Sequence, residues 1–131
     1  METSQYQECN KGGVVKSILI VEDDPVLGNL LLETFQEETT YQGYLASSGE
    51  RALMMLSTIT PALFLLDYQL PGMNGLELAD QLQRREGGEH TPILLMSADL
   101  PQESGALDHL RTLQKPFDLE TLLQLIANLL A

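Results

Sequence analysis

Five short segments with the features of strands alternate along this chain with segments whose apolar residues recur at helical spacing; three are largely apolar runs, whereas those at 41–46 and 110–114 mix apolar and polar residues. Each of the five is rich in Leu, Ile or Val or bounded by turn residues, which is typical of short strands within a sheet. They lie at 16–21, 41–46, 62–66, 92–96 and 110–114. Because strands that alternate with helices form a parallel sheet covered by helices, the sequence predicts a doubly wound α/β domain.

Capping residues mark where the predicted helices begin. Asp24 precedes Pro25, a pairing typical of a helix N-cap followed by proline at the first helical position. Residues 47–50 resemble a capping box, and Asn74 and Asp118 stand in front of two further apolar stripes. These signals predict that most helices begin soon after a strand ends.

The composition restricts the class of partner. With 131 residues the chain is long enough for one core, and it has a net charge of −12 with only 7 Lys and Arg. Phosphate backbones and anionic lipid surfaces attract Lys and Arg, so nucleic acid and membrane are not expected as direct partners.

The single cysteine and the N-terminal segment bear on location. Cys9 has no partner for a disulfide within the chain, which fits a reducing compartment. Residues 1–16 lack the apolar core of a signal peptide, and no apolar run approaches the ~18 residues of a transmembrane span. We therefore expect a cytoplasmic protein with a flexible tail at 1–16 and one domain at 17–131.

Reactive side chains follow four of the five predicted strands. Glu22 and Asp23 come after the first, Asp67 after the third, Ser97 after the fourth and Lys115 after the fifth. Right-handed crossovers place the carboxyl ends of all parallel strands at one edge, where open α/β sheets bind ligands. The sequence therefore predicts that acids, a hydroxyl and an amine meet there.

These residue types together suit the chemistry of phosphoryl groups. Glu22, Asp23 and Asp67 are hard oxygen ligands that repel one another unless a cation such as Mg²⁺ lies between them. An aspartate carboxylate can also act as a nucleophile that forms an aspartyl-phosphate. Lys115 and the Ser97 hydroxyl would then neutralise and bind the phosphoryl oxygens.

From about Lys16 to Ala131 the sequence resembles the receiver domain of two-component response regulators, a CheY-like family. The matching motifs are ILIVEDD at 18–24, LDYQLPGMNG at 66–75, MSA at 96–98 and KPF at 115–117. The resemblance implies a flavodoxin-like fold with strand order 2-1-3-4-5. It further implies a signalling module that turns over no external substrate.

The same resemblance assigns roles to the acids. It implies that Asp67 accepts a phosphoryl group from the phosphohistidine of a histidine kinase or a phosphotransfer protein. It also implies that Asp23 and Asp67 bind Mg²⁺ directly, that Glu22 binds it through water, and that the Gln69 backbone carbonyl is a third ligand.

The remaining roles concern the last two strands. The resemblance makes Ser97 the switch hydroxyl, the group that moves to the phosphoryl, and makes Lys115 the phosphate-binding lysine. The peptide bond between Lys115 and Pro116 is expected to be cis, as is typical of the family.

Two departures fall on the face that the family uses for output and dimerisation. Thr112 stands where family members usually carry Tyr or Phe, and the spacing from Ser97 to Lys115 predicts a shortened fourth helix at 101–107. The output partner is not identified by the sequence, and homodimer formation stays open.

Three other functions share part of this pattern. An interaction domain that kept the fold without phosphorylation is the main alternative, which Thr112 keeps open. A phosphatase of the haloacid dehalogenase type needs a second acid two residues after the nucleophile, where Gln69 stands. A flavin or dinucleotide carrier needs a Gly- or Ser/Thr-rich loop after the first strand, where residues 22–24 are acidic.

Overall fold

Five parallel strands form the centre of the structure, a computed structural model that describes residues 15–85, 87–88, 90–99 and 110–131. The strands are β1 (Ser17–Val21), β2 (Gln42–Ala46), β3 (Leu63–Asp67), β4 (Ile93–Ser97) and β5 (Leu110–Gln114). Their order in the sheet is β2-β1-β3-β4-β5, which confirms the predicted flavodoxin-like topology.

Four helices connect or follow these strands. They are α1 (Pro25–Glu38), α2 (Gly49–Met55), α3 (Gly75–Arg84) and α4 (Leu119–Leu130). The short helix predicted at 101–107 lies outside the described residues, and so do residues 1–14 of the predicted tail. Within the described ranges, no helix has the length and apolar character needed to cross a membrane.

The three central strands are buried on both faces, as their continuous apolar sequences predict. Every residue of β3 and β4 is buried, whereas the edge strands β2 and β5 are buried only in part. Alternate residues of each central strand enter different cores. Leu66 and Leu95 pack on the side of α2 and α3, and Leu65 and Leu94 pack on the side of α1 and α4.

Helix caps form close to the strand ends. Asp24 Oδ1 accepts a hydrogen bond from the Val26 amide at 3.0 Å, and Asp118 Oδ1 accepts one from the Thr121 amide at 2.7 Å. Hydrogen bonds from Thr121 hold the pKa of Asp118 below its usual range. Because α1 and α4 begin just beyond β1 and β5, these caps fix the loops that carry the candidate site.

Of the other two predicted caps, one is confirmed and one is wrong. Asn74 and Glu77 form a full capping box, with hydrogen bonds of 2.8 and 2.9 Å. The capping box predicted at 47–50 does not form, because α2 begins one residue later than that motif requires. Ser48 is the N-cap and accepts from the Arg51 amide at 3.1 Å.

Candidate functional site

The carboxyl ends of β1 and β3 bring three acids together at one edge of the sheet. Glu22 and Asp23 directly follow β1, and Asp67 is the last residue of β3. One carboxylate oxygen from each residue lies within 4.8 Å of the others. The predicted cluster therefore exists in the fold, with Glu22 and Asp67 buried and Asp23 exposed to solvent.

Lys115 reaches the acidic cluster from the end of β5. Its Nζ donates a hydrogen bond to Asp67 Oδ1 at 2.9 Å and lies 3.7 Å from Glu22 Oε1. Its backbone amide donates to the Ser97 carbonyl at 2.8 Å, which ties this loop to the end of β4. The bond to Pro116 is cis, as the resemblance implied. The lysine thus balances part of the negative charge.

Glu22 is the most constrained of the three acids. Its side chain is buried, its Oε2 accepts from the Asp24 amide at 3.1 Å, and its Oε1 accepts no hydrogen bond within the described part of the chain. The pKa of Glu22 is raised to about 7, chiefly by burial; the charges of Asp67 and Asp23 also raise it, whereas the Asp24 amide and Lys115 lower it.

The donor set fits a divalent cation. Three carboxyl groups face a single ammonium, and the buried Glu22 Oε1 lacks a hydrogen-bond partner among the described residues. Few-carboxylate sites open to solvent are typical of Mg²⁺, which keeps several waters. Gln69 is exposed, and its backbone carbonyl stays a predicted ligand.

The loop after Asp67 packs closely against Gly75, the last residue of the motif at 66–75. The Gly75 amide donates to the Tyr68 carbonyl at 2.7 Å, and a Cβ at Gly75 would lie 2.3 Å from the Asp67 carbonyl oxygen. A larger residue would therefore displace the acceptor backbone. The signal for this requirement was the Asn74-Gly75 pair inside the motif at 66–75.

Ser97 lies buried at the end of β4, yet its hydroxyl is engaged by its own loop. The Oγ donates to the Asp99 carbonyl at 2.6 Å and accepts from the Asp99 amide at 3.1 Å. Neither bond involves Asp67. Thr112 lies half-buried in β5, paired with Leu95. The sequence thus placed the serine at the same edge of the sheet as the acids, but it did not predict the direction of its hydroxyl.

Comparison with known proteins agrees with this architecture. Sporulation initiation phosphotransferase F of Bacillus subtilis is 36% identical over 109 residues, which span 80% of this chain and 86% of that protein. Regulator of RpoS of Escherichia coli K12 is 42% identical over 87 residues, which span 65% of this chain but only 24% of that longer protein.

Solved structures and a family model agree as well. The chemotaxis response regulator CheY4 of Vibrio cholerae has a TM-score of 0.81 and 25% identity, covering 88% of this chain and 99% of that one. Response regulator protein TrrA of Thermotoga maritima, solved in complex with Mg²⁺–BeF, has a TM-score of 0.76, 31% identity and the same coverage. The model of the response regulator receiver domain matches residues 18–127. Since that match spans most of the chain, the protein belongs to the response regulator receiver domain family.

Proposed function

We propose that this receiver domain accepts a phosphoryl group on Asp67 and thereby changes which proteins it binds. The observation that supports this most is the buried Asp67 carboxylate, which is bonded to Lys115 at 2.9 Å and clustered with Glu22 and Asp23. Receiver domains interact with histidine kinases and phosphotransferases. The donor proposed here is the phosphohistidine of such a protein.

In the proposed transfer, an Asp67 carboxylate oxygen forms a bond to phosphorus while the bond from phosphorus to the donor imidazole nitrogen breaks. The electron pair of that bond stays with the imidazole, which leaves as the free histidine. The Lys115 ammonium shifts its hydrogen bond from Asp67 towards a phosphoryl oxygen, where it stabilises the developing charge. Positioning and electrostatics then account for most of the acceleration.

Glu22, Asp23 and Asp67, with the Gln69 backbone carbonyl, are the groups proposed to hold Mg²⁺. Asp23 and Asp67 would bind it directly and Glu22 through water. The ion would supply positive charge to the phosphoryl oxygens. Glu22 contributes by staying buried beside Asp67, where its Oε1, which accepts no hydrogen bond among the described residues, favours a nearby cation.

The proposed switch begins with Ser97. To bind a phosphoryl oxygen, its hydroxyl must leave the Asp99 carbonyl, to which it now donates at 2.6 Å. Because Asp99 follows in the same loop, this exchange moves backbone after β4 as well as one side chain. The changed loop is the element through which a bound partner, an output protein or a second copy, would detect phosphorylation.

Receiver domains are generally signalling modules without turnover of an external substrate, and we propose the same here, limited to self-phosphorylation and loss of the phosphoryl group. The alternative of an interaction domain without phosphorylation is favoured by one observation, the engagement of the Ser97 hydroxyl with Asp99. A phosphatase is disfavoured because Gln69 stands where its second acid is needed.

Intact-protein mass after incubation with acetyl phosphate tests the proposal. The expected result is a gain of one phosphoryl group that requires Mg²⁺, is prevented by EDTA and is absent from Asp67→Asn. The matched control is Asp80→Asn, which removes an exposed carboxylate paired with Arg84 and should leave the gain unchanged. No gain with acetyl phosphate or with a purified phosphohistidine donor would overturn it in favour of the interaction domain.

A further inference from the structure

The outer edge of β2 is open. Among the described strands β2 pairs with β1 alone, so one of its two sides has no neighbouring strand. The Gln42 amide and the Ala46 carbonyl bond at 2.9 and 3.0 Å to backbone groups that flank β1. Because the backbone groups of successive residues in a strand point to alternate sides, those of Gly43 and Leu45 point away from β1. These two residues therefore offer amides and carbonyls to a further strand.

The sequence of β2 lacks the features that usually protect a free edge. Its five residues include no charged side chain and no proline. The outer strand on the other side of the sheet, β5, carries the exposed Arg111. The Gln42 side-chain amide donates to the Gly43 carbonyl at 3.3 Å, so a neighbour in the same strand bonds this open acceptor. Since proteins protect unpaired edges with charges, proline or a covering segment, β2 is expected to be covered.

A cavity of about 620 Å³ lies beside the first half of β2. The helix on this side, α2, ends at Met55, and the chain turns at residues 56–59. None of the seven residues that line the cavity is charged, although charged residues make up 20% of the chain. The hydroxyl, amide and apolar groups that line it come mainly from Ser17, Gln42, Tyr44, Thr58, Ile59 and Thr60. The cavity therefore suits an occupant that is uncharged and partly polar.

The chain enters the domain at this cavity. Val15, the first residue that the structure describes, lines the cavity and is 49% exposed, and residues 1–14 precede it. Because β1 and β2 are parallel, a segment that lies along β2 and then leads into β1 runs antiparallel to β2. The free side of β2 is about 10 Å from β1, and residues 8–14 can span roughly 23 Å when extended. The preceding segment can therefore reach this edge.

We propose that residues 3–7 pair with β2 as an antiparallel sixth strand and that Tyr6 fills the cavity. This segment, TSQYQ, carries no charge, as the lining of the cavity carries none. Thr and Tyr favour strands, and a tyrosine has both the ring and the hydroxyl that a mixed lining suits. The sixth strand bonds the open amides and carbonyls of Gly43 and Leu45. This assignment is independent of phosphoryl transfer to Asp67.

Other occupants match the edge and its cavity less well. A second copy of the chain carries the same net charge of −12, which opposes the approach of two domains. A strongly basic or acidic partner meets no opposite charge among the residues that line the cavity. Residues 3–7 are tethered to the edge through 8–14, which gives them an effective concentration there on the order of millimolar. Position and charge therefore favour the chain's own segment.

Amide hydrogen exchange of the full chain, followed by NMR, tests the sixth strand. In the wild type the Gly43 and Leu45 amides should exchange about tenfold more slowly than in Tyr6→Pro, which removes the ring and disfavours strand pairing. Tyr6→Phe keeps the ring and should retain most of this protection. The matched control is Asn10→Pro, which places the same residue between the proposed strand and β1 and should exchange as the wild type does.

The single cysteine allows a second measurement on the same chain. Cys9 follows the proposed strand closely, so a nitroxide attached to it would lie near the beginning of β2. It should broaden the NMR signals of residues 42–44 and 58–60 most strongly, and Tyr6→Pro should reduce that broadening. Residues 119–123, at the beginning of α4 and on the other face of the sheet, should be affected least.

Three results would overturn the sixth strand. One is that Gly43 and Leu45 exchange equally fast in the wild type and in Tyr6→Pro. Another is nitroxide broadening that is strongest outside 42–44 and 58–60. The third is protection of Gly43 and Leu45 that disappears on dilution, which would assign the edge of β2 to a second copy of the chain.

Discussion

The acceptor side and the readout side of the sheet edge differ in how far they are prepared for a phosphoryl group. On the acceptor side, Asp67 is buried, bonded to Lys115 at 2.9 Å and placed beside Glu22. On the readout side, the Ser97 hydroxyl is bound twice to Asp99, and Thr112 lies half-buried in the edge strand. The acceptor side already holds its charged groups in place, whereas on the readout side the hydrogen bonds from Ser97 to Asp99 must break before the hydroxyl can bind a phosphoryl group.

This difference suggests a division of labour. A carboxylate and an ammonium that already face each other lose little conformational freedom when the phosphoryl group arrives, so transfer can be fast with a small donor. Moving Ser97 has a cost, because two hydrogen bonds to Asp99 must be exchanged for one to the phosphoryl. The readout thus depends on phosphorylation, while acceptance depends mainly on the acceptor side and less on Ser97.

Lys115→Ala should have the largest effect, since it removes the only cation within bonding distance of Asp67 among the described residues. We expect phosphorylation by acetyl phosphate to slow by about 100-fold or more, the range seen when one preorganised charge-stabilising donor is lost. The rate of mass gain in the presence of Mg²⁺ measures this.

Lys16→Ala is the matched control for that experiment. Lys16 donates to the Leu130 carbonyl at 2.7 Å, where it contacts the end of α4 rather than the acidic cluster. Its loss should leave the rate unchanged. Equal rates for Lys115→Ala and the wild type would show that the acceptor side does not rely on its ion pair.

Ser97→Ala should slow phosphorylation less, by about tenfold. A hydrogen bond to a charged group contributes about 1.5–3 kcal/mol, and breaking the bonds to Asp99 offsets part of it. Ser97→Thr keeps a hydroxyl and should stay close to the wild-type rate in the same mass assay. A loss as large as that of Lys115→Ala would contradict the division between the two sides.

The pH dependence of folding tests the charge balance of the acceptor side. Burial raises the pKa of Glu22 to about 7, so between about pH 4.3 and 7 the folded protein holds a proton that the unfolded chain releases. Without Mg²⁺, this carboxyl should therefore lower the stability as the pH rises through that window, by an amount on the order of 1 kcal/mol.

Urea unfolding with EDTA, compared between wild type and Glu22→Gln, isolates this contribution from the other acids. The wild type should lose more stability than the variant between pH 5 and pH 7.5, and Mg²⁺ should reduce that loss because it favours the ionised carboxylate. Identical pH profiles for the two proteins would mean that Glu22 is ionised throughout.

The same two regions show what the sequence can and cannot specify. Strand order followed from the family resemblance, and the convergence of Glu22, Asp67 and Lys115 followed from their places at strand ends. The mutual repulsion of the three acids predicts a raised pKa for at least one of them without a cation, but not that it is Glu22, because its burial depends on several elements distant in sequence. The rotamer of Ser97 could not be predicted either, because it depends on how the backbone of Asp99 folds back onto the hydroxyl.

The wrongly predicted start of α2 is a second feature that local sequence does not specify. Both Ser47 and Ser48 are suitable N-cap residues, and Ser48 is the N-cap in the structure. A Cβ at Gly49 would lie 2.8 Å from Met73 Cγ, so the loop after β3 packs directly on the first residue of α2. Met73, 24 positions away, thus packs against the start of α2, and local capping rules do not contain such a contact.

Thr112→Phe should have the smallest effect on acceptance. Thr112 pairs with Leu95 rather than with a residue of the acidic cluster, so a larger side chain there should leave the acetyl phosphate rate within about twofold, as expected for distant, independent sites. Hydrogen exchange of residues 93–99 should respond more, because an aromatic beside this loop would favour one position of Ser97. Arg111→Phe, at an exposed position on the same strand, is the control.

If Thr112→Phe slowed phosphorylation as much as Ser97→Ala, the two sides of the edge would be coupled before the phosphoryl group arrives, and acceptance would depend on the whole readout side and not on Ser97 alone.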